Sequence, residues 1–291
     1  MKEAVAFAPG HISGFFQPIV DDTDFRKTGS RGAGVNIKHG ATAHVSISPS
    51  NVQKILLLVN DQKGKYPVTK TAVQHIVGTE NLNVEVNITL DLPVSQGFGM
   101  SAASALSACL ATGSCLGKTR LQSIEAAHYA EVSHHTGLGD VYTSATGGFE
   151  IREKPGIPPF GKINKITSQK EIILILFPGI ISTHDLLTDK EQMEKISTIG
   201  SYCAEKVFTD PTVESIMKYS YYFTKESKLA SKSMLKELEQ INKVAPASMC
   251  MLGHALFSLA NEKEIKRMIK SKVKLISTSV DNQGARVLKT C

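Results

Sequence analysis

The stretch from 82 to 117 constrains the fold more than any other part of the chain. Leu82, Val84, Val86, Ile88, Leu90 and Leu92 alternate with Asn83, Glu85, Asn87, Thr89 and Asp91. A period of two places one set on each face, so this is a strand with one wet side. Pro93-Val94-Ser95-Gln96-Gly97-Phe98-Gly99-Met100-Ser101-Ala102-Ala103 follows directly, and then a run of Ala, Ser and Leu that Gly117 stops. The two glycines allow φ > 0 and close approach to a ligand. The free N–H groups of the helix start point at that ligand, with the positive end of the helix dipole behind them. That is a phosphate-binding arrangement. A glycine turn that merely reverses the chain fits the loop chemistry as well, since a glycine loop alone is a weak signal.

Two other phosphate signatures fail. Gly117-Lys118-Thr119 ends a near miss to a P-loop, but Thr112 stands where the first glycine is required and the segment closes a helix. No GxGxxG follows a strand, and the protein-kinase motifs are missing.

Elsewhere the first half reads as strands with a few helices. Residues 41–48 and 54–59 are predicted strands, and Pro67 opens a helix that Gly78 ends. Thr119 with Gln122 forms a capping box for a helix reaching toward Gly137. Beyond it, 172–177 is an apolar run of strand length. Helices are then opened by Thr188 with Glu191, Asp210 with Pro211, and Asn261 with Glu264. Residues 275–280 and 285–288 close the chain as strands. The Pro- and Gly-rich stretch 155–161 is the predicted boundary between domains 1–160 and 161–291.

Bulk properties exclude several classes. The net charge is +6 and no helix carries a basic stripe interleaved with aromatics, so nucleic acid is not an expected partner. The longest apolar run is far short of the roughly 20 residues that span a bilayer, and the first residues hold no signal-peptide core. The expected setting is the cytoplasm, with no membrane contact. Five cysteines, odd in number and without a CxxC pair, form neither a disulfide framework nor a zinc site.

Three segments in order resemble the signatures of the GHMP kinases (galactokinase, homoserine, mevalonate, phosphomevalonate). They are Ala8-Pro9-Gly10-His11, Pro93 to Ala103, and Gly137-Leu138-Gly139-Asp140 with Gly147-Gly148. A narrower resemblance, to the archaeal pantoate kinases, adds 8–16, Gly29-Ser30-Arg31-Gly32-Ala33-Gly34-Val35 and 136–141. The resemblance implies a two-domain α+β fold, ribosomal-protein-S5-like in its N-terminal half and ferredoxin-like in its C-terminal half, with the site in the cleft between them. It implies ATP as co-substrate, Mg²⁺, a small hydroxy acid as acceptor, and a homodimer. A kinase for mevalonate, homoserine or shikimate, and a catalytically silent nucleotide-binding regulator, remain open alternatives.

On that resemblance Asp140 is the expected catalytic residue, since phosphoryl transfer needs the acceptor hydroxyl aimed and its proton accepted. A lone Asp in a glycine loop is otherwise a turn residue. Gln96, Gly97, Phe98, Gly99, Met100, Ser101 and Ala102 are expected at the phosphates. Ser101 and Glu131 are expected at the metal, with a plain N-cap and a solvated helix carboxylate as the respective alternatives. His11 stands where mevalonate kinases carry lysine and is expected at the substrate. Arg31 is expected at the substrate carboxylate, a solvated loop arginine being the alternative. His128, His134 and His135 match no zinc spacing. Gly253 is the one candidate phosphate contact near the C-terminus, where the third family signature matches poorly.

Overall fold

The computed structural model describes residues 1–179 and 190–291. Two long strands, β1 (Lys2–Ile19) and β2 (Gly29–Pro49), pair antiparallel along nearly their whole length. Around them are β3 (Lys54–Val59), β4 (Gln62–Lys63), β5 (Leu82–Leu90), β6 (Phe149–Lys154), β7 (Lys162–Ile166) and β12 (Arg286–Thr290). The order is β12-β1-β2-β5-β3-β4, with β6 also pairing β2 and β7 pairing β6. The wet face of β5 is the expected one: Val84, Val86 and Ile88 are buried.

The helices of this half are α1 (Pro67–Val77), α2 (Met100–Leu116), α3 (Arg120–Ser133) and α4 (Asp140–Thr146). Helix α2 is buried along most of its length against β1, β2, α1 and α3. Ala, Ser and Cys side chains let all these neighbours approach closely, so a helix apolar nearly all round becomes the centre of the core. Thr119 and Gln122 form both bonds of the capping box of α3, an arrangement whose loss typically costs about 1 kcal/mol. The helix stops at Ser133, earlier than Gly137, because His135 takes φ 53 and turns the chain.

The second sheet runs β11-β8-β10-β9, built from β8 (Glu171–Leu176), β9 (Ala247–Met249), β10 (Ala255–Ser258) and β11 (Lys274–Ser279). Of the helices in this part of the chain, α5 (Lys190–Thr209) packs on β1 and β2 of the first sheet, α6 (Val213–Ser227) lies against β1 and β9, α7 (Lys232–Ile241) against β9 and β10, and α8 (Glu262–Met268) against α7. The expected opening at Thr188 lies outside the described residues. The start expected at Asp210-Pro211 moves to Thr212, whose hydroxyl accepts from the Ser215 amide at 3.1 Å, while the Asp210 amide still bonds the end of α5. Asn261 and Glu264 cap α8 as expected.

Strands β7 and β12 both join the first sheet, so the division expected at 160/161 does not coincide with the division between sheets. Hairpin pairing carries β7 with β6, and β12 adds to the free edge of β1.

Candidate active site

One cavity of about 1020 Å³ opens on the first sheet. One wall is Gly97, Phe98, Gly99, Met100, Ser101 and Ala102. Gly97 takes φ 78 and Gly99 φ 62, backbone that a side chain would strain. Gly99 is the N-cap of α2 and makes no side-chain cap bond, and the first intrahelical amide is that of Ala103. The amides of Met100, Ser101 and Ala102 therefore precede the helical ladder, as an anion site requires.

Gln96 departs from expectation. It does not line the cavity; its amide nitrogen donates to the Gly179 carbonyl at 2.7 Å and anchors the loop. Gly253 has a related part. A Cβ there would fall 2.2 Å from the Gly97 nitrogen, so two backbones touch and the 250–253 turn buttresses the loop from the second sheet.

The opposite wall holds Asp140, the first residue of α4, with its side chain 29% exposed. Its Oδ1 lies 2.6 Å from His11 Nδ1. The His11 amide in turn donates to the Phe98 carbonyl at 3.0 Å. One residue of β1 thus ties the carboxylate to the glycine loop. Burial pushes the Asp140 carboxyl up, but the His11 hydrogen bond and the charges of His11 and Arg152 outweigh it and hold the group below its usual range. For His11 burial opposes the charged ring. Hydrogen bonds and charges from Asp140 and Glu150 prevail, and its pKa is raised.

His11 was expected at the substrate, and the structure places it among the residues lining the cavity with its ring held by protein groups. Its other nitrogen, Nε2, is 2.9 Å from Glu150 Oε1, so both ring nitrogens are taken within the protein. Arg31, expected at the substrate carboxylate, is not among the residues lining the cavity. Residues alternate across β2, so Ser30 faces the cavity while Arg31 faces α5. There its guanidinium donates to Glu205 at 2.6 Å and to Gln17 at 3.2 Å and stacks over Phe208. The buried guanidinium nearest Asp140 belongs instead to Arg152, which sequence reading missed with its neighbour Glu150. Phe149-Glu150-Ile151-Arg152 alternates like a strand with a wet face, yet both charged residues are buried.

Ser101 and Glu131 do come together, the hydroxyl donating to Oε1 at 2.5 Å on the cavity wall. Burial, with the Asp140 charge adding to it, pushes the Glu131 carboxyl up to about 7 against the Ser101 bond. A hydroxyl and a carboxylate short of positive charge are a donor set suited to a hard divalent cation. His128 serves otherwise, donating to the Phe25 and Thr28 carbonyls, and His134 bonds Thr71. No helix among the described residues is long and apolar enough to cross a membrane.

Residues 66–148 match the family described as GHMP kinases N terminal domain. The chain is 33% identical over 269 residues to a pantoate kinase of Thermococcus kodakarensis, covering 90% of this chain and 89% of that one. It is 30% identical over 263 residues to a pantoate kinase of Methanocaldococcus jannaschii, covering 89% and 94%. A solved structure described as a phosphotransferase related to the CoA biosynthesis pathway superposes with a TM-score of 0.88 at 29% identity, over 99% of this chain and 98% of that one.

Proposed function

This chain belongs to the pantoate kinases of the GHMP superfamily, and from that premise we propose that it transfers the γ-phosphoryl of ATP to the 4-hydroxyl of (R)-pantoate. The product would be 4-phosphopantoate, on an archaeal route to coenzyme A. The observation that carries the mechanism is the bridge through His11, which joins the glycine-loop backbone to Asp140.

In this reading the amides at the start of α2 hold the nucleotide phosphates, and Val59, Asn60, Tyr66, Val68 and Val94 leave room for base and ribose. The acceptor lies toward Ser13, Phe16, Ser30 and Leu138. The serine hydroxyls can meet pantoate's polar groups, and Phe16 and Leu138 its two methyls. Asp140 accepts a hydrogen bond from the acceptor hydroxyl and aims its oxygen at the γ-phosphorus. A new O–P bond forms as the bond to the β-phosphate oxygen breaks, ADP leaves, and the hydroxyl proton passes to Asp140. With its pKa held low, Asp140 is a weak base. Its contribution is positional, which suits a loose transition state in which the proton moves late. Ser101 and Glu131 would hold Mg²⁺, which neutralises phosphate charge when bound. A homodimer in the cytoplasm belongs to the same reading on the resemblance alone, and light scattering tests the assembly.

The test is ADP release against a panel of pantoate, mevalonate, homoserine and shikimate. Turnover on pantoate well above the others is expected. Robust turnover on another alcohol with none on pantoate would overturn the substrate and keep the class. ATP binding by calorimetry with no turnover on any acceptor would point to a silent regulator.

A further inference from the structure

We propose that Glu150 is a positioning residue for phosphoryl transfer: it holds the His11 ring as an imidazolium, which in turn fixes Asp140 in the cavity wall. The inference rests on the reading of Asp140 as the residue that meets the acceptor hydroxyl.

The hydrogen-bond inventory carries it. His11 Nδ1 is 2.6 Å from Asp140 Oδ1 and Nε2 is 2.9 Å from Glu150 Oε1. Ionised carboxylates only accept, and a neutral imidazole has one N–H. A neutral ring would press a nitrogen lone pair against one of these oxygens. Only the doubly protonated ring satisfies both of these contacts; a neutral ring would instead accept at Nε2 from Arg152 Nη1, which stands farther off at 3.4 Å than the Glu150 oxygen at 2.9 Å. The same Oε1 of Glu150 also accepts from Arg152 Nη1 at 2.6 Å, beside the His11 ring, while Oε2 is buried without a protein partner. The groups facing His11 are Asp140 from α4 and Glu150 and Arg152 from β6, with Glu131 of α3 beyond Asp140. With His11 charged, Asp140, His11, Glu150 and Arg152 form a cluster of two carboxylates and two cations with no net charge, which makes enclosure of such groups tolerable.

The sheet is built to admit this cluster. His11 lies on β1 and Glu150 on β6, and β2 runs between them. Strands separated by a third are roughly 10 Å apart, so side chains meet across it only where the middle strand has none. Gly34 of β2 pairs with Ser13 on one side and Glu150 on the other. A Cβ on Gly34 would fall 2.7 Å from His11 Nε2 and 2.9 Å from Glu150 Oε1. Gly32, opposite Arg152, would crowd its Nη2 at 2.7 Å in the same way. Gly32 and Gly34 are the clearance for this cluster.

The experiment compares wild type with Glu150→Gln, which keeps the shape and removes the charge. In ¹⁵N-histidine-labelled protein at about pH 7.5, the wild-type His11 ring should read as an imidazolium and the variant ring as a neutral tautomer. The variant's kcat on pantoate should fall at least about tenfold at that pH and return to within about threefold of wild type near pH 6. KM for ATP should stay within about twofold throughout. A packing defect would not mend itself on acidification. A neutral His11 in the wild type, or a variant pH profile parallel to wild type, overturns the proposal. The wild-type spectrum needs no variant, and so decides the matter even if Glu150→Gln fails to fold. Failure of the wild-type chain to phosphorylate pantoate counts against the functional reading, while a neutral ring counts against Glu150, and the two are measured separately.

Discussion

The glycine loop meets the cavity with backbone, and the wall opposite meets it with ionised side chains. Amides at the start of α2 are aimed by the local chain path, and their partial charges need no counter-ion. Asp140 is different, because a half-buried carboxylate beside the buried Glu150 calls for neutralising partners. The neutralising partners come from β1 and β6, far apart in sequence. Backbone recognition is a local property of about eight residues, whereas side-chain electrostatics is a property of the sheet.

That contrast can be broken most directly at Asp140. Asp140→Ala should lower kcat at least about a thousandfold, near 4 kcal/mol of transition-state stabilisation. Nucleotide affinity measured by calorimetry should stay within about threefold. Survival of a tenth of wild-type kcat would mean the charged wall is not where the chemistry is done.

Glu131 sharpens the comparison from the stability side. Its folded pKa, about 7, lies above the ordinary 4.5. The tighter proton binding supports the fold below about pH 4.5, and that support is lost as pH rises through 7. In metal-free protein Glu131→Gln should match wild type near pH 4.5 and exceed it by about 3 kcal/mol at pH 8, from 1.36 kcal/mol per unit. Urea melts at the two pH values check this. Equal stability at pH 8 would mean the carboxylate is already compensated.

At the backbone wall, Gly97→Ala puts a Cβ 2.7 Å from the Cys250 carbonyl oxygen at φ 78. Left-handed backbone costs a non-glycine residue about 1–2 kcal/mol, so KM for ATP should rise about tenfold or more while kcat at saturation changes less. An unchanged KM for ATP would separate the loop from the phosphates. The smallest effect is expected from Arg31→Ala. Its partner Glu205 is exposed, so stability should fall by less than about 1 kcal/mol. KM for pantoate should stay within about twofold, and a large rise would restore Arg31 to the substrate.

What could be read from the sequence divides along the same line. Strand 82–90, the glycine loop and α2 are contiguous and carry their own periodicity and stop signals, so they were legible. The capping boxes at Thr119 and Asn261 were legible for the same reason. Strand β1 and the first part of β2 were not, because their glycines and polar residues hide the period of two, whereas 41–48 of β2 was read as a strand. Glu150 and Arg152 were missed since charged residues alternating with apolar ones ordinarily signal a solvated face. Arg31 was misplaced by one step of strand alternation. The glycines at 32 and 34, two apart and so on one face, were the available sign that something large crosses β2 there.

The contact of Gly253 with the backbone of Gln96 and Gly97 has a mechanical consequence. The turn that props the glycine loop is the hairpin between β9 and β10. Any ligand that stiffens the loop must therefore also damp motion in that hairpin, and amide exchange at Ser248 and Phe257 should slow when nucleotide binds, although neither residue borders the cavity.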